Sequence, residues 1–101
     1  MAKKSVILRE ERRRRLAVKY AERRAALVAV LNDPEASLDD KDVARKQLHK
    51  LPRDSAKVRQ KNRCRITGRP KGFHRKFGIS RVLLRKLAHK GELPGVRKAS
   101  W

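Results

Sequence analysis

The sequence predicts a mainly α-helical, extended protein with two N-terminal helices, a loop-rich, zinc-knuckle-like region without metal, and a C-terminal helix. Residues 3–31 lack Gly and Pro and are rich in Arg, Ala, Leu and Glu, which favour helices. Gly and Pro then cluster within residues 68–78, where they indicate turns. Only four of the 101 residues are aromatic and 40% are charged, so a large independent core is not expected.

The N-terminal part, residues 1–54, is predicted to be an extended helical arm. Residues 3–31 form either one long helix or two helices in line. The helical segment ends at Asn32-Asp33-Pro34, because the residue before a proline avoids helical geometry. Apolar residues that share one face at helical spacing are Leu16, Tyr20, Leu27 and Leu31.

A second helix is predicted from about Leu38 to Leu51. Ser37 caps its start and Pro52 stops it. Its apolar face carries Ala44, Leu48 and Leu51. The segment 22–54 also holds seven of the ten acidic residues: Glu22, Asp33, Glu35, Asp39, Asp40, Asp42 and Asp54. This acidic stretch is expected to face solvent or a neighbouring protein rather than nucleic acid.

The C-terminal part, residues 55–101, is predicted to be a basic, knuckle-like RNA-binding module. No acidic residue occurs from Ser55 to Gly91, so the segment repels itself unless anions bind to it. Residues 64–67 and 72–75 are expected to form a small hairpin.

A third helix is predicted to start at Ser80, a favourable N-cap, and to end at Gly91, a favourable residue after a helix. Its apolar face carries Leu83, Leu84 and Leu87. Its opposite face carries Arg81, Arg85 and His89. Phe73 and Phe77 are expected to pack beneath this helix, and stacking on unpaired bases is the alternative.

The charge of the chain restricts its partners. Thirty Lys and Arg against ten Asp and Glu give a formal net charge of +20, which opposes compaction unless a polyanion neutralises it. RNA, DNA and an anionic membrane are the candidates. A DNA-compacting protein typically has a dimerising core or repeated basic tails, and neither is found. The acidic segment and the lack of large apolar faces argue against a membrane-active peptide, so RNA is favoured.

The single cysteine, Cys64, opens a basic, glycine-containing loop, as the first ligand of a zinc knuckle does. A structural zinc site needs four ligands in two close pairs. His49, His74 and His89 do not form such pairs with Cys64, so no metal or other cofactor is expected. No Ser/His/Asp or Cys/His set is found either, so neither enzymatic activity nor a small-molecule substrate is expected.

No targeting or membrane segment is predicted. Val6–Leu8 is the only apolar run near the N-terminus, and it is too short for the core of a signal peptide. The longest apolar run, Ala25–Leu31, is far below the roughly 20 residues that a membrane helix needs. A cytoplasmic protein is therefore expected.

A family resemblance is carried by CRITGRPKGFHRKFGISRVLLRKLAHKGELPGVRKASW, with LPRDS upstream. These motifs resemble those of bacterial small-subunit ribosomal protein fourteen. MAKKS and the N-terminal helices are similar to the long form of that family, so the resemblance covers the whole chain. It implies a structural role in the head of the small ribosomal subunit, where the family binds the 3′ domain of 16S ribosomal RNA, touches proteins three and ten, and supports assembly and translation.

The short form of that family carries a C-x2-C-x12-C-x2-C zinc site. Its four positions fall here on Cys64, Thr67, Ser80 and Leu83, so only the first is a cysteine. The resemblance is therefore to the zinc-free long form, which in some bacteria is a paralogue deployed when zinc is scarce. We expect Thr67 to hydrogen-bond within the turn at Gly68, Ser80 to cap the third helix, and Leu83 to fill the core.

The predicted RNA contacts are mainly the cations of the basic module, because a guanidinium donates two parallel hydrogen bonds to a phosphate. They are Arg59, Lys61, Arg63, Arg65, Arg69, Lys71, Arg75, Lys76, Arg81, Arg85, Lys86, Arg97, Lys98 and Trp101. For Trp101, contact with a base or protein and a free chain end remain alternatives. Weaker candidates are Lys3, Lys4 and Arg12–Arg15.

Overall fold

The computed structural model describes residues 1–100, and Trp101 lies outside the described residues. The elements in chain order are α1 (Lys4–Lys19), α2 (Ala21–Asn32), α3 (Leu38–Lys50), the 3-10 turns Arg53–Ser55 and Lys57–Arg59, β1 (Phe73–His74), β2 (Ile79–Ser80) and α4 (Arg81–His89). The predicted mainly α-helical class is confirmed, whereas the extended arrangement stays a prediction. No helix within residues 1–100 is long and apolar enough to cross a membrane.

Residues 3–31 form two helices, α1 and α2, so with α3 three helices precede the loops. The division falls at Tyr20, whose φ of −102° and ψ of 8° leave the helical region. Hydrogen bonding nevertheless continues: the Tyr20 N–H donates to the Leu16 carbonyl (3.0 Å), and the Arg24 N–H donates to the Tyr20 carbonyl (2.9 Å). The alternative of two helices is therefore the correct one.

The chain divides into two compact units. The helical unit is Leu8–Gln60, and the C-terminal unit is Met1–Ile7 together with the chain from Lys61 onward. These bounds differ from the predicted division between residues 54 and 55. That division follows the charge of the chain and concerns RNA binding, and it stays a prediction.

The helical unit is built on the packing of α2 against α3. The four residues of the predicted N-terminal stripe are half-buried, and Ala44 on α3 is buried, as their spacing predicts. The Ser37 hydroxyl accepts a hydrogen bond from the Asp40 N–H (3.2 Å), which confirms the predicted cap of α3.

Side chains from α1 and α2 fix the segment that follows α3. The buried Ser55 hydroxyl accepts from Nε of Arg24 (2.9 Å) and donates to the Pro52 carbonyl. The Asp54 carboxylate accepts from Arg59 (3.0 Å) and from Nε of Arg13 (3.4 Å). These contacts explain why the segment has a defined path although it holds only two short 3-10 turns.

The hairpin of the C-terminal unit pairs β1 with β2, with Phe73 opposite Ser80 and His74 opposite Ile79. The predicted pairing of residues 64–67 with 72–75 is therefore wrong. Residues 75–78 form the connecting turn, which ends at Gly78 with a φ of +69° that glycine adopts without steric cost. That reversal brings 79–80, rather than 64–67, alongside 73–74.

Residues 64–69 form a separate turn that is joined to the hairpin. The Gly68 N–H donates to the Cys64 carbonyl (2.9 Å), and the Cys64 N–H donates to the Arg69 carbonyl (3.0 Å). The Arg65 N–H donates to the Gly78 carbonyl (3.1 Å). The N-terminus is attached to the same turn, because the Ala2 N–H donates to the Thr67 carbonyl (2.9 Å).

Helix α4 follows β2 directly, and its predicted limits are confirmed. Gly91 (φ +74°) donates its N–H to the Ala88 carbonyl, and the Glu92 N–H donates to the Leu87 carbonyl, both at 3.1 Å; this is a Schellman motif. Ser80 occupies the N-cap position, but its side chain makes no capping hydrogen bond. The predicted capping by its hydroxyl is therefore wrong, since Ser80 is also the last residue of β2 and is buried.

Candidate nucleic-acid interface

Charge is distributed unequally between the two units. The C-terminal unit contains fifteen Lys and Arg and one acid, Glu92, whereas the helical unit contains fifteen Lys and Arg and nine acids. The helical unit holds the ion pairs Glu10–Arg13, Glu10–Arg14, Asp42–Arg45, Asp54–Arg13 and Asp54–Arg59. In residues 62–100, as the structure describes them, no Lys or Arg pairs with a carboxylate. Anions from a partner are therefore needed to neutralise this unit.

Most of the predicted RNA-binding cations are accessible. Of the thirteen that fall within residues 1–100, twelve are exposed and only Arg63 is half-buried. Twelve of the thirteen belong to the C-terminal unit, and Arg59 belongs to the helical unit. The predicted contact at Trp101 lies outside the described residues.

The half-buried Arg63 side chain stabilises the turn at residues 64–69 by a hydrogen bond. Its Nη1 donates to the Gly68 carbonyl (3.0 Å), and its Nε is buried without a hydrogen-bond partner. An RNA contact by this residue stays a prediction. Its hydrogen bond to the turn is a structural contact that charge alone did not reveal.

Four of the predicted cations surround a cavity between α4 and the C-terminal segment, which we call the tail cavity. Its volume is about 220 Å³, and Leu84, Ala88 and Val96 form its apolar wall. The cations that line it are Arg81, Arg85, Arg97 and Lys98, with His89 beside them. Positive charge converging on a small concave surface favours a phosphate group or the phosphate backbone.

Two further predicted cations, Arg69 and Lys86, line a larger cavity, which we call the turn cavity. Its volume is about 520 Å³. It lies among the N-terminus, the turn at 64–69 and the start of α4. The residues that line it are Met1, Ala2, Thr67, Arg69, Pro70, Ser80, Val82, Leu83 and Lys86. Leu83, predicted to fill the core, is half-buried and forms part of this wall.

The hairpin turn presents Arg75 and Lys76, which are exposed and line neither cavity. Nζ of Lys76 lies 5.9 Å from the centroid of the Phe77 ring, within the range of a cation–π contact. Phe73 and Phe77 are both half-buried. Whether bases stack on these rings stays a prediction.

Gly72 positions Arg81 at the tail cavity. A Cβ atom on Gly72 would lie 2.9 Å from Cγ and Cδ of Arg81, so only glycine leaves room for the stem of that arginine. The Arg81 N–H also donates to the Gly72 carbonyl (2.6 Å). The glycine thus allows the close approach that holds this cation at the start of α4.

Cys64 is only 3% exposed and lies in the turn among hydrogen-bond donors. Burial raises the pKa of its thiol, but the Thr67 side chain and the backbone of Thr67, Ser80 and Ile66 favour the thiolate and lower the pKa to about 6. The Thr67 N–H lies 3.5 Å from the sulfur. This contact is a hydrogen bond of Thr67 within the turn, as predicted, and the buried Thr67 hydroxyl beside it also favours the thiolate.

The pH dependence of the ultraviolet absorbance of the Cys64 thiolate tests this environment, because a buried thiol can be followed in this way without access of a reagent to the sulfur. Measured as the difference between the wild-type chain and Cys64→Ala, the thiolate absorbance of the folded chain is expected to rise with a midpoint near pH 6. The same difference in guanidinium chloride should show the ordinary midpoint, near 9.0. Coincident midpoints would contradict the stabilised thiolate.

Comparison with known proteins identifies the family. Residues 47–100 match the family described as ribosomal protein S14p/S29e. The chain is 54% identical to small ribosomal subunit protein uS14 of Idiomarina loihiensis and 55% identical to uS14A of Mycolicibacterium smegmatis. It is 52% identical to uS14 of Corynebacterium efficiens, and each comparison covers 100% of both chains. The chain belongs to the ribosomal protein S14p/S29e family.

The four positions that carry zinc in short-form members of the S14p/S29e family lie close together in the structure. Hydrogen bonding links Cys64 to Thr67 and Ser80, and Thr67, Ser80 and Leu83 line the turn cavity. Within residues 1–100, no group of three or more His, Cys, Asp and Glu side chains could hold a metal ion. The zinc-free assignment is consistent with these side chains and stays a prediction.

Sequence reasoning missed one component of this S14p/S29e-family site, namely the N-terminal residues beside the turn. Met1 and Ala2 line the turn cavity, although more than sixty residues separate them from Thr67 in the chain. Neither carries a charged side chain or a motif, so no local signal could have indicated this position.

Proposed function

We propose that this protein is a structural constituent of the small ribosomal subunit and binds ribosomal RNA there. The observation that carries the proposal is the full-length identity of 52–55% to bacterial proteins named small ribosomal subunit protein uS14 or uS14A. Membership of the S14p/S29e family makes it a non-enzymatic component of the ribosome. Its location is that of the small subunit, which is cytoplasmic in bacteria.

Within the subunit, the proposed RNA partner is the 3′ domain of 16S ribosomal RNA, in the head. The choice of the 3′ domain follows the family resemblance. RNA binding itself is supported by six exposed cations of the C-terminal unit that line the tail and turn cavities, where no carboxylate is among the lining residues. Glycines allow the backbone to approach a phosphate closely. The thirteen cations predicted from the sequence remain the proposed contacts, with Trp101 as the fourteenth residue.

The proposed protein neighbours are small-subunit proteins three and ten, which we assign to the helical unit. Acidic residues concentrate in the segment 32–54, so RNA is an unfavourable neighbour for that part of the chain. Exposed apolar side chains on α2 and α3 support a protein contact there; they are Val28, Val30, Leu38 and Val43. A zinc-free long form is also part of the proposal, because only one of the four ligand positions is a cysteine.

The binding mechanism that the charge distribution supports is electrostatic ordering, in which RNA phosphates neutralise the acid-free segment and hold it in its folded arrangement. Each phosphate that a Lys or Arg neutralises releases condensed counterions, so affinity falls steeply as salt rises. Specificity comes from the shape of the RNA and from unpaired bases rather than from reading a groove. Once bound, the protein holds RNA segments together by neutralising their mutual repulsion.

Sedimentation of lysates from cells that express an epitope-tagged chain tests the proposal. At low magnesium, where the subunits separate, we expect the tagged chain to remain with the small subunit. DNase should leave its position unchanged, whereas ribonuclease should release it. Migration with DNA, with the large subunit or as free protein would contradict the proposed function.

Two measurements on the same particles test the finer assignments. Chemical probing is expected to show protection in the 3′ domain of 16S ribosomal RNA. Cross-linking from α2 and α3 is expected to reach proteins three and ten. Protection confined to another domain, or cross-links to other proteins only, would overturn the assignment to the head while leaving the place in the small subunit intact.

A further inference from the structure

The turn cavity has a composition that phosphate binding alone does not explain. Its volume of about 520 Å³ lies within the roughly 300–1,000 Å³ typical of ligand sites. Ala2, Pro70, Val82 and Leu83 contribute apolar surface, whereas Arg69 and Lys86 contribute positive charge. No carboxylate belongs to the residues that line it within the described chain.

We propose that the turn cavity receives one unstacked nucleotide of the ribosomal RNA, with its base against Val82 and Leu83 and its phosphate at Arg69 and Lys86. The proposal rests on the proposed RNA-binding function and adds to it a specific kind of contact. A nucleotide is the ligand that matches the site, because its base has apolar faces and its phosphate is anionic.

Other occupants match only part of the site. An aliphatic side chain from a neighbouring protein would cover Val82 and Leu83 but would leave two cations beside an uncharged group. A phosphate of a regular RNA helix would pair with Arg69 and Lys86 but would leave the apolar wall exposed to water, which is unfavourable. An unstacked nucleotide matches both the apolar wall and the two cations. Unpaired positions are also those at which proteins most often recognise RNA by sequence.

The backbone fixes both sides of the site. Val82 and Lys86 are four residues apart on α4, so their side chains lie on one face of the helix. On the opposite side, the Arg69 carbonyl accepts the Cys64 N–H (3.0 Å), which holds the end of the turn in place. The apolar wall and the two cations therefore have their arrangement before the nucleotide binds. This lowers the entropic cost of ordering the site on binding.

The tail cavity differs from the turn cavity in volume and in the number of cations that line it. Its volume of about 220 Å³ is below the usual range for a ligand site. Four cations line it, whereas two line the turn cavity. It is suited to backbone phosphate, whereas the turn cavity, the larger of the two, offers more room for a base.

Filling the turn cavity tests the proposal. Val82 is 41% exposed and lines the cavity, so Val82→Phe should occupy it with little disturbance of α4. Val18→Phe is the matched control, since Val18 is 78% exposed on α1 in the helical unit and belongs to no proposed contact surface. The readout is dimethyl sulfate and carbodiimide reactivity of each base of 16S ribosomal RNA in purified small subunits that contain the variant.

We expect Val82→Phe to expose one base that the wild-type chain protects, with reactivity rising at least about fourfold, as the loss of roughly one buried methylene of apolar contact causes. Val18→Phe should leave that base protected. Assembled subunits without any base released by Val82→Phe would overturn the cavity proposal alone. Absence of the wild-type chain itself from small subunits would instead overturn the proposed function.

A second pair of variants keeps the test decisive if Val82→Phe fails to fold. Lys86→Gln removes a cavity charge at an exposed position, and Lys90→Gln removes an exposed charge one turn later, outside the cavity. We expect Lys86→Gln, but not Lys90→Gln, to raise the reactivity of a single nucleotide. Equal effects of the two variants would show that general charge, rather than a nucleotide in the cavity, is responsible.

Discussion

Replacing Arg85, Arg97 and Lys98 together by glutamine is expected to weaken binding to the 3′ domain of 16S ribosomal RNA by about a hundredfold, at roughly 1 kcal/mol for each lost contact. All three side chains are exposed around the tail cavity. Each is expected to neutralise a phosphate, so the slope of log affinity against log salt should fall by about two. Equilibrium binding to a transcribed fragment over a series of KCl concentrations measures both quantities.

The matched control removes the same charge from the helical unit. Lys46, Lys50 and Arg53 are exposed there, and glutamine at these positions also takes three charges from the formal net charge of +20. We expect this variant to retain nearly full affinity and an almost unchanged salt slope. Equal losses in the two variants would mean that net charge, and not the arrangement around the tail cavity, governs binding. Arg81 is left in place because its stem packs on Gly72.

Features that depend on neighbouring residues were predictable from the sequence. The limits of α4 follow from Ser80 and Gly91, since the geometry at a helix end is set within a few residues. The cap of α3 at Ser37 and the end of α3 before Pro52 are also set by residues close in sequence, and both were predictable. Even there the chemistry was only partly predictable, because the Ser80 hydroxyl does not cap the helix that it precedes.

Features that depend on distant contacts were not predictable. The partner of β1 is β2 rather than residues 64–67, because the turn ending at Gly78 decides which segment returns. The attachment of Ala2 to Thr67 has no signal in either segment. The predicted cations were accurate as a set of exposed charges, but the sequence did not show how they divide between the two cavities or that Arg63 braces a turn.

Gly68→Ala is expected to cause a large loss of stability in the C-terminal unit. Gly68 has a φ of +72°, which costs a residue with a Cβ atom about 1–2 kcal/mol. That Cβ atom would also lie 2.9 Å from Cδ1 of Ile7 and 3.0 Å from Cβ of Ala2. Overpacking of this kind adds about 1–3 kcal/mol, because the N-terminal residues must move away from the turn.

Gly95→Ala separates the two costs. Gly95 has a φ of +73°, but no atom lies within 4 Å of the position that its Cβ would take. The conformational cost is therefore similar and the steric cost is absent, so we expect a loss of about 1 kcal/mol. Hydrogen exchange of the slowest amides in residues 62–81, which open only when the whole C-terminal unit unfolds, measures both costs on one scale by mass spectrometry.

The difference between the two variants measures the packing of the N-terminus on the turn. If that packing holds the turn cavity in shape, Gly68→Ala should accelerate exchange around Cys64 by a further factor of about ten to one hundred beyond Gly95→Ala. Shortening the opposing side chain by Ile7→Ala in the Gly68→Ala background should recover part of the loss, because the closest contact is then removed. Equal exchange in the two alanine variants would show that residues 1–7 do not constrain the turn, and the cavity would then lack one of its walls.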